Sequence, residues 1–336
     1  MAKQFPVNDK NVLVTGGAGF VGSSLVRELL KIDAKVTVYD NFLHGTKQNL
    51  NEIQKNITII PGDVLDTWKL SETIEQNNID YIFHCVGDTY VPTAYDVPKR
   101  FFQINVEGTL NVLMASKTFN VKRMLYVSST EVYGEAQSDS IKEDHQLMPL
   151  NTYAVSKLAA DKLCYTFHRE HNTPVVIARI FNAYGPRESE PYVIPEIITQ
   201  LSKGNVVELG NINARRDFTF VDDTARALID VLESNIPNGD AVNIGSGVDY
   251  SIEDLANKIG KLMGHNKIKI KIDPNRKRRL DINRFKCDPN KLKSFTGWRT
   301  SKTIDEGLLE TINWFNNYGK RWSWEDFTEG TIIYRR

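Results

Sequence analysis

Tyr153 and Lys157 stand four residues apart in a Tyr-Ala-Val-Ser-Lys run. On a helix that spacing puts both side chains on one face. A tyrosine phenol titrates near ~10 in water and is a poor base at neutral pH. A neighbouring ammonium favours the phenolate and lowers that value. Such a pair can take the proton of an alcohol while a hydride leaves for a nicotinamide. The spacing alone says little, because Tyr95 and Lys99 repeat it. Pro98 lies inside that second pair and disfavours a continuous helix, whereas 154–163 is a run of good helix formers. Upstream, Ser128-Ser129-Thr130-Glu131 leads into Val132-Tyr133-Gly134 straight after an apolar strand. Open α/β sheets hold their ligands at such carboxyl ends of strands. The Ser129 hydroxyl would hold a substrate alcohol beside Tyr153, with Glu131 as an acid–base group in the same pocket. Taken alone, the run also reads as a Ser/Thr-rich strand exit with a solvated glutamate.

A second constellation lies near the N-terminus. An apolar strand runs into Gly16-Gly17-Ala18-Gly19-Phe20-Val21-Gly22. Gly16 permits a tight turn, Gly19 lets the backbone approach a pyrophosphate, and Gly22 lets the following helix pack against the sheet. The helix that opens at Phe20 offers free N–H groups and its positive dipole end to phosphate. Asp40 closes the next strand, where an acid can accept from adenosine ribose hydroxyls and would repel a 2′-phosphate. No arginine follows directly, so the pattern points to NAD rather than NADP. Asp63 and Val64, after the third strand, are placed to reach the adenine edge.

These groups need a scaffold, and the apolar pattern supplies one. Strands are predicted at Asn11–Thr15, 35–39, 57–60, Tyr81–His84, 124–128 and Val175–Ile180, with helices near 20–31, 67–77, 100–118 and 152–171. Alternating strands and helices mean a doubly wound parallel α/β sheet of the Rossmann type, here spanning 1–180. The strands are nearly all apolar rather than alternating, as strands buried on both faces should be. Beyond 180 the loops lengthen at 182–195, 204–213, 237–240 and 271–281, and helices are predicted near 193–203, 222–233, 251–263 and 303–317. Residues 181–336 therefore read as a smaller, mixed α/β substrate-binding lobe. The boundary is interleaved: a segment near 215–245, such as Ala241–Ile244, is predicted to return to the sheet.

Bulk composition excludes several functions. Lys and Arg total 42 and match the 42 Asp and Glu among 336 residues, so no net charge draws the chain to nucleic acid or a membrane surface. The 3 cysteines have neither metal-ligand spacing nor the density of a disulfide framework, so no metal is expected. No run nears the roughly 18 apolar residues of a membrane span, and residues 1–10 lack the apolar run of a signal peptide. The cytoplasm is the expected location.

Together, the glycine turn, Asp40, Ser128–Gly134, Tyr153-x-x-x-Lys157 and the Arg179–Pro186 segment with Asn182 resemble the extended short-chain dehydrogenases/reductases. The resemblance covers about residues 10 to 317 and narrows to the nucleotide-sugar epimerase, dehydratase and decarboxylase group. It implies that Ser129 is the catalytic hydroxyl, Tyr153 the base, and Lys157 its partner that also holds the nicotinamide ribose. It further implies that Thr130 and Asn182 contact substrate, Arg216 binds the diphosphate, and Arg278 of the basic run Arg276–Arg279 is a second phosphate ligand. Residues 205–213 and that basic run would line the base pocket. In this group such helices as 100–118 and 152–171 pair with their copies to make a homodimer. The clustered aromatics Trp322, Trp324 and Phe327 suggest that the C-terminal tail packs on its own chain or a neighbour.

All members of the group begin by oxidising the sugar, usually at C4, and Glu131 bears on the fate of the ketone. A C4 ketone acidifies the C5 proton, and 4,6-dehydratases of the group carry a glutamate here to remove it before water leaves C6. The chain departs from the deoxythymidine-linked type in having Ser129 for Thr and Thr130 for Asp. Decarboxylases also carry a Ser-Glu pair. The acidic run Arg187-Glu188-Ser189-Glu190 sits poorly with a carboxylated sugar. The expectation is a 4,6-dehydratase, with 4-epimerase, decarboxylase and, more remotely, a non-catalytic NAD-binding module as the alternatives.

Overall fold

The computed structural model describes residues 4–277 and 280–318. Six strands form the first half: β1 (Asn11–Thr15), β2 (Lys35–Asp40), β3 (Thr58–Pro61), β4 (Tyr81–His84), β5 (Arg123–Ser129) and β6 (Val175–Ile180). The chain then leaves this sheet for β7 (Asn182–Tyr184), β8 (Val206–Leu209) and β9 (Arg215–Phe220). It returns as β10 (Ala241–Ile244) and leaves again for β11 (Asp249–Ser251), β12 (Lys269–Ile272) and β13 (Arg284–Phe285). The large sheet has the order β10-β6-β5-β4-β1-β2-β3, and every pairing in it is parallel. The strand order reverses between β1 and β4, and a crevice opens beyond their carboxyl ends, where such sheets bind ligands.

Alternation along β1 explains the two layers. Val12 and Val14 join one apolar cluster, while Leu13 between them joins the other. The first cluster holds α1 (Phe20–Leu30) against the sheet; the second holds α2 (Thr67–Gln76). Between α2 and β5 the chain forms α3 (Val91–Ala94), α4 (Pro98–Phe102) and α5 (Gly108–Thr118), and after β5 it forms α6 (Thr152–His171). The smaller lobe adds α7 (Val193–Leu201), α8 (Val221–Glu233), α9 (Ile252–Leu262), α10 (Asn290–Thr296) and α11 (Ile304–Tyr318). Of these, α8 packs beside α1 on the large sheet, whereas α7, α9 and α11 share a separate core with β8 and β9. No helix among the described residues is long and apolar enough to cross a membrane.

Three expectations change. The predicted helix at 100–118 is interrupted: a π-turn at Gln103–Glu107 separates α4 from α5. Such wide turns cluster at functional sites, and this one carries the fully buried Asn105. The loops predicted at 182–195 and 204–213 contain β7 and β8, strands too short to show alternation. The segment near 215–245 divides as well. β10 and α8 belong with the large sheet, while β9 is the centre of a small mixed sheet with β7, β11 and β13.

Candidate active site

The glycine turn closes the end of β1. Gly16 has φ +73°, and a Cβ there would lie 2.9 Å from the Val86 nitrogen, so only glycine fits between β1 and the β4 exit. Gly19 is extended and precedes α1 with no side-chain cap. The N–H groups of the first turn, from Phe20 onward, are thus left to a ligand. Gly22 differs from its expected role: a Cβ there would fall on the Gly16 carbonyl oxygen, so the close approach is to the turn itself rather than to the sheet.

Asp40 is buried at the end of β2. Its carboxylate accepts from the N–H of Ala18 at 2.9 Å and of Phe42 at 2.8 Å. Burial pushes its pKa up, against the pull of those two N–H groups. The side chain therefore braces the glycine loop, a duty the sequence did not reveal. It also borders a cavity of about 90 Å³ together with Gly62, Asp63 and Val64. Each carboxylate oxygen has a second lone pair, so acceptance from a ribose hydroxyl remains open. Asp63 accepts from Asn41 Nδ2 and Leu65 N, both at 2.9 Å.

Tyr153 and Lys157 lie on α6 and line a larger cavity of about 380 Å³ with Ser129, Thr130 and Glu131. Asn151 fixes both sides of this arrangement. Its Oδ1 accepts from Ala154 N at 2.8 Å and starts α6, while its Nδ2 donates to Glu131 Oε2 at 3.2 Å. Lys157 Nζ donates to the Val127 carbonyl at 2.6 Å and lies 4.5 Å over the Tyr126 ring. Burial draws the Lys157 pKa down to about 8, opposed by Cys164, Cys85 and Asp161. The ammonium is still the majority form at neutral pH. Tyr153 is buried and meets the Phe101 ring edge-on. Ser129 Oγ accepts from Glu131 N at 3.2 Å, which turns the strand exit so that both residues reach one cavity. Arg179, read as part of a motif, has a scaffolding task. Its guanidinium forks onto Asp161 of α6 at 2.9 and 3.0 Å and fastens the helix to the sheet.

Toward the smaller lobe the wall changes character. Thr130 Oγ1, Asn182 Oδ1 and Glu188 Oε2 are buried without a hydrogen-bond partner among the described residues, and all three residues line the larger cavity. Native folds rarely bury polar atoms unpaired, so such a cluster marks a surface built for a polar ligand. Arg216 on β9 is buried and pairs with Asp281 at 3.1 Å. Arg278 lies outside the described residues. Arg276, two residues earlier, lines the cavity instead and pairs with Glu196 at 2.9 Å. Gly210 from the β8 exit packs so closely on the Arg276 carbonyl that no Cβ would fit.

Three further groups are not evident from the sequence. Asn105 donates to Ser156 Oγ at 2.8 Å and to the Asp88 carbonyl at 3.0 Å, tying the π-turn to α6. His44 bridges Asp88 and Glu190, at 2.9 Å each, across the crevice, and Arg100 holds the other oxygen of Asp88 at 2.7 Å. Burial pulls the His44 pKa down, but hydrogen bonds to the two carboxylates outweigh it and bring it up to about 9. Glu188 is buried and pushed well above the ordinary carboxylate range by desolvation. Glu190 is thus matched by His44, whereas Glu188 has no cation beside it among the described residues and its pKa is raised by burial. In the sequence only Glu188 and Glu190 stand out among these residues, as parts of the acidic run 187–190.

The geometry has close counterparts. The GDP-mannose 4,6 dehydratase family model matches residues 13–311. A UDP-N-acetyl-alpha-D-glucosaminuronate decarboxylase of Bacillus cytotoxicus is 34% identical over 91% of this chain and 98% of its own. Among solved structures, a UDP-N-acetylglucosamine 4-epimerase of Methanobrevibacter ruminantium superposes with a TM-score of 0.83 at 32% identity, covering 92% of this chain and 99% of that one. A dTDP-glucose 4,6-dehydratase of Streptomyces venezuelae, solved with NAD bound, has a TM-score of 0.85 at 29% identity, covering 92% and 97%. With the matched residues running from β1 to α11 and the motifs in place, the chain belongs to the NAD-dependent nucleotide-sugar epimerase and dehydratase family of extended short-chain dehydrogenases/reductases.

Proposed function

We propose that the protein is an NAD-dependent nucleotide-diphosphate-sugar 4,6-dehydratase. The observation that carries this reading is the position of Glu131. Its carboxylate, held by Asn151, shares a cavity wall with Ser129 and Tyr153. A base beyond Tyr153 has work to do in an elimination, whereas 4-epimerisation and loss of CO₂ from a β-keto acid need none. NAD, held at the glycine turn and beside Lys157, would supply the hydride acceptor for C4 and the donor for C6. Ser129 holds the C4 hydroxyl, Tyr153 receives its proton, and the Lys157 ammonium on the same helix favours the phenolate that accepts it. Glu131 removes the C5 proton, which leaves with the C6 hydroxyl as water. The same carboxylate then delivers a solvent proton back to C5. Arg216 and Arg276 face the diphosphate, and Leu209, Gly210 and Asn211 face the base. The wall at Asp40 favours NAD over its 2′-phosphorylated form.

Decarboxylation is the second reading, favoured by the Bacillus relative. Mass spectrometry separates the three outcomes on a panel of UDP-glucose, UDP-N-acetylglucosamine, UDP-glucuronic acid, dTDP-glucose and GDP-mannose. Loss of water supports the dehydratase, loss of CO₂ the decarboxylase, and unchanged mass with altered stereochemistry the epimerase. Glu131→Gln should still form a 4-keto sugar, trapped with hydroxylamine, but release no water. Full dehydration by that variant would remove Glu131 from the mechanism.

The apolar side chains Phe102, Met114, Val155 and Tyr165 on α4, α5 and α6 are 37%, 53%, 39% and 48% exposed. They support a homodimer that buries these helices against their copies. A monomeric mass by light scattering at micromolar concentration would reject it.

A further inference from the structure

Glu188 is 2% exposed and lines the larger cavity between β7 and α7. One side of its carboxyl group receives the Gly185 N–H; Oε2 has no hydrogen-bond partner among the described residues. An ionised carboxylate in such a place lacks the cation or the set of donors that buried charges require. A neutral carboxyl group is different: it presents one O–H donor and keeps acceptor capacity. The chain packs this group beside a loop that is already committed. Glu190, two residues on, is engaged by His44, and Tyr192 OH shares a hydrogen bond with Thr89 Oγ1 at 2.9 Å. Glu188 Oε2 is thus left as the unpartnered carboxyl oxygen of the segment, in a cavity also lined by Asn182 and Thr130, whose own buried oxygens lack partners among the described residues.

We infer that Glu188 is a specificity-determining residue that binds the sugar ring as a neutral carboxylic acid, donating a hydrogen bond to a sugar oxygen. Desolvation supports this by holding its pKa well above the ordinary carboxylate range. The oxygen can be a hydroxyl, an N-acetyl carbonyl or a sugar carboxylate, all of them acceptors. The inference rests on the nucleotide-sugar reading above.

The test compares wild type with Glu188→Gln and Glu188→Ala by calorimetry, using whichever panel sugar nucleotide binds best and its free nucleoside diphosphate as control. A neutral amide still donates, so Glu188→Gln should bind the sugar nucleotide within about threefold of wild type, while Glu188→Ala should weaken it about tenfold. Binding of the free diphosphate should stay unchanged in both. A carboxylic-acid carbonyl band should appear in the infrared difference spectrum of wild type minus Glu188→Gln, which also serves if the alanine variant does not fold. Equal weakening by glutamine and alanine would mean that an ionised carboxylate does the binding and overturns the inference. So would an alanine variant that binds the sugar normally, one that loses sugar and free diphosphate alike, or a missing acid band. If wild type binds no sugar nucleotide of the panel, the functional reading itself falls, and the role of Glu188 with it.

Discussion

At one end of the crevice the ligand surface is backbone; at the other it is side chain. Around Gly16, Gly19 and Gly22 the chain removes its side chains so that N–H groups can come forward, and the nearby acid, Asp40, has both oxygens engaged by N–H groups of its own chain. Around Thr130, Asn182 and Glu188 the chain instead buries polar side-chain atoms that none of the described residues partners. The first surface is set by the backbone and suits a part that every turnover shares. The second is completed only by its ligand, and suits the part that differs between enzymes of one fold. Tyr153, Lys157 and Ser129 line the cavity that carries residues of both surfaces, and under the proposed function they face cofactor and substrate alike.

The largest test of that meeting point uses the two tyrosine–lysine spacings. Tyr153→Phe removes the proton acceptor and should lower turnover by about 10²–10⁴-fold, the range a positioned acid–base group supplies. The variant should keep its affinity for NAD. Lys157→Met should fall in the same range. The second pair is split in the structure: Tyr95 caps α3, whereas Lys99 is exposed in the separate helix α4. Lys99→Met should therefore leave turnover within about twofold, since surface changes away from special features rarely exceed about 0.5 kcal/mol. Equal losses at Lys99 and Lys157, measured as initial rates of product formation, would make the helix context irrelevant.

A smaller effect separates backbone from side-chain construction. Gly22→Ala must displace the Gly16 carbonyl, and overpacking of this kind costs about 1–3 kcal/mol. The variant should melt several degrees lower and retain less NAD through purification. Gly204→Ala is the control: nothing lies within 4 Å of a Cβ there, so the melting temperature should hold or rise slightly. If Gly22→Ala kept both its NAD and its melting temperature, the turn would be more pliable than its contacts imply.

The same contrast explains what could be read in the sequence. Glycines at 16, 19 and 22 were legible because sterics leave few alternatives at those positions. Strands β1, β4 and β6 were legible because burial on both faces makes them uniformly apolar. Tyr153 stood out from Tyr95 through helix propensity and a proline, both local properties. Asn105 was not legible, because its placement depends on a π-turn inside an otherwise ordinary helical pattern. Glu188 and Glu190 read as one acidic run, yet they differ in what surrounds them: one lies buried with an unpartnered oxygen, the other meets a histidine from far along the chain. Nor could β7, β11 and β13 be found, since two or three residues carry no period.

His44 ties the two ends together, and it should produce the smallest effect. It leaves the β2 exit, meets Asp88 from the β4 exit and reaches Glu190 of the smaller lobe. Its pKa is about 9 in the folded chain against about 6.5 unfolded. The folded state therefore holds the proton more tightly. The stabilisation is fully present below about pH 6.5 and is lost as pH rises through about 9. The side chain is 37% exposed, so solvent screens the pairs and the contribution stays below about 1 kcal/mol. Lys157 works in the opposite sense. Its folded value of about 8 lies below the unfolded value near 10.5, so stability gains as pH rises between them. That gain is common to wild type and a His44→Gln variant and cancels in their difference. The melting temperature of wild type minus His44→Gln should be positive near pH 6, shrink through pH 9 and fall further in high salt. A difference that stays constant across this range would show that His44 holds the two ends by packing rather than by charge.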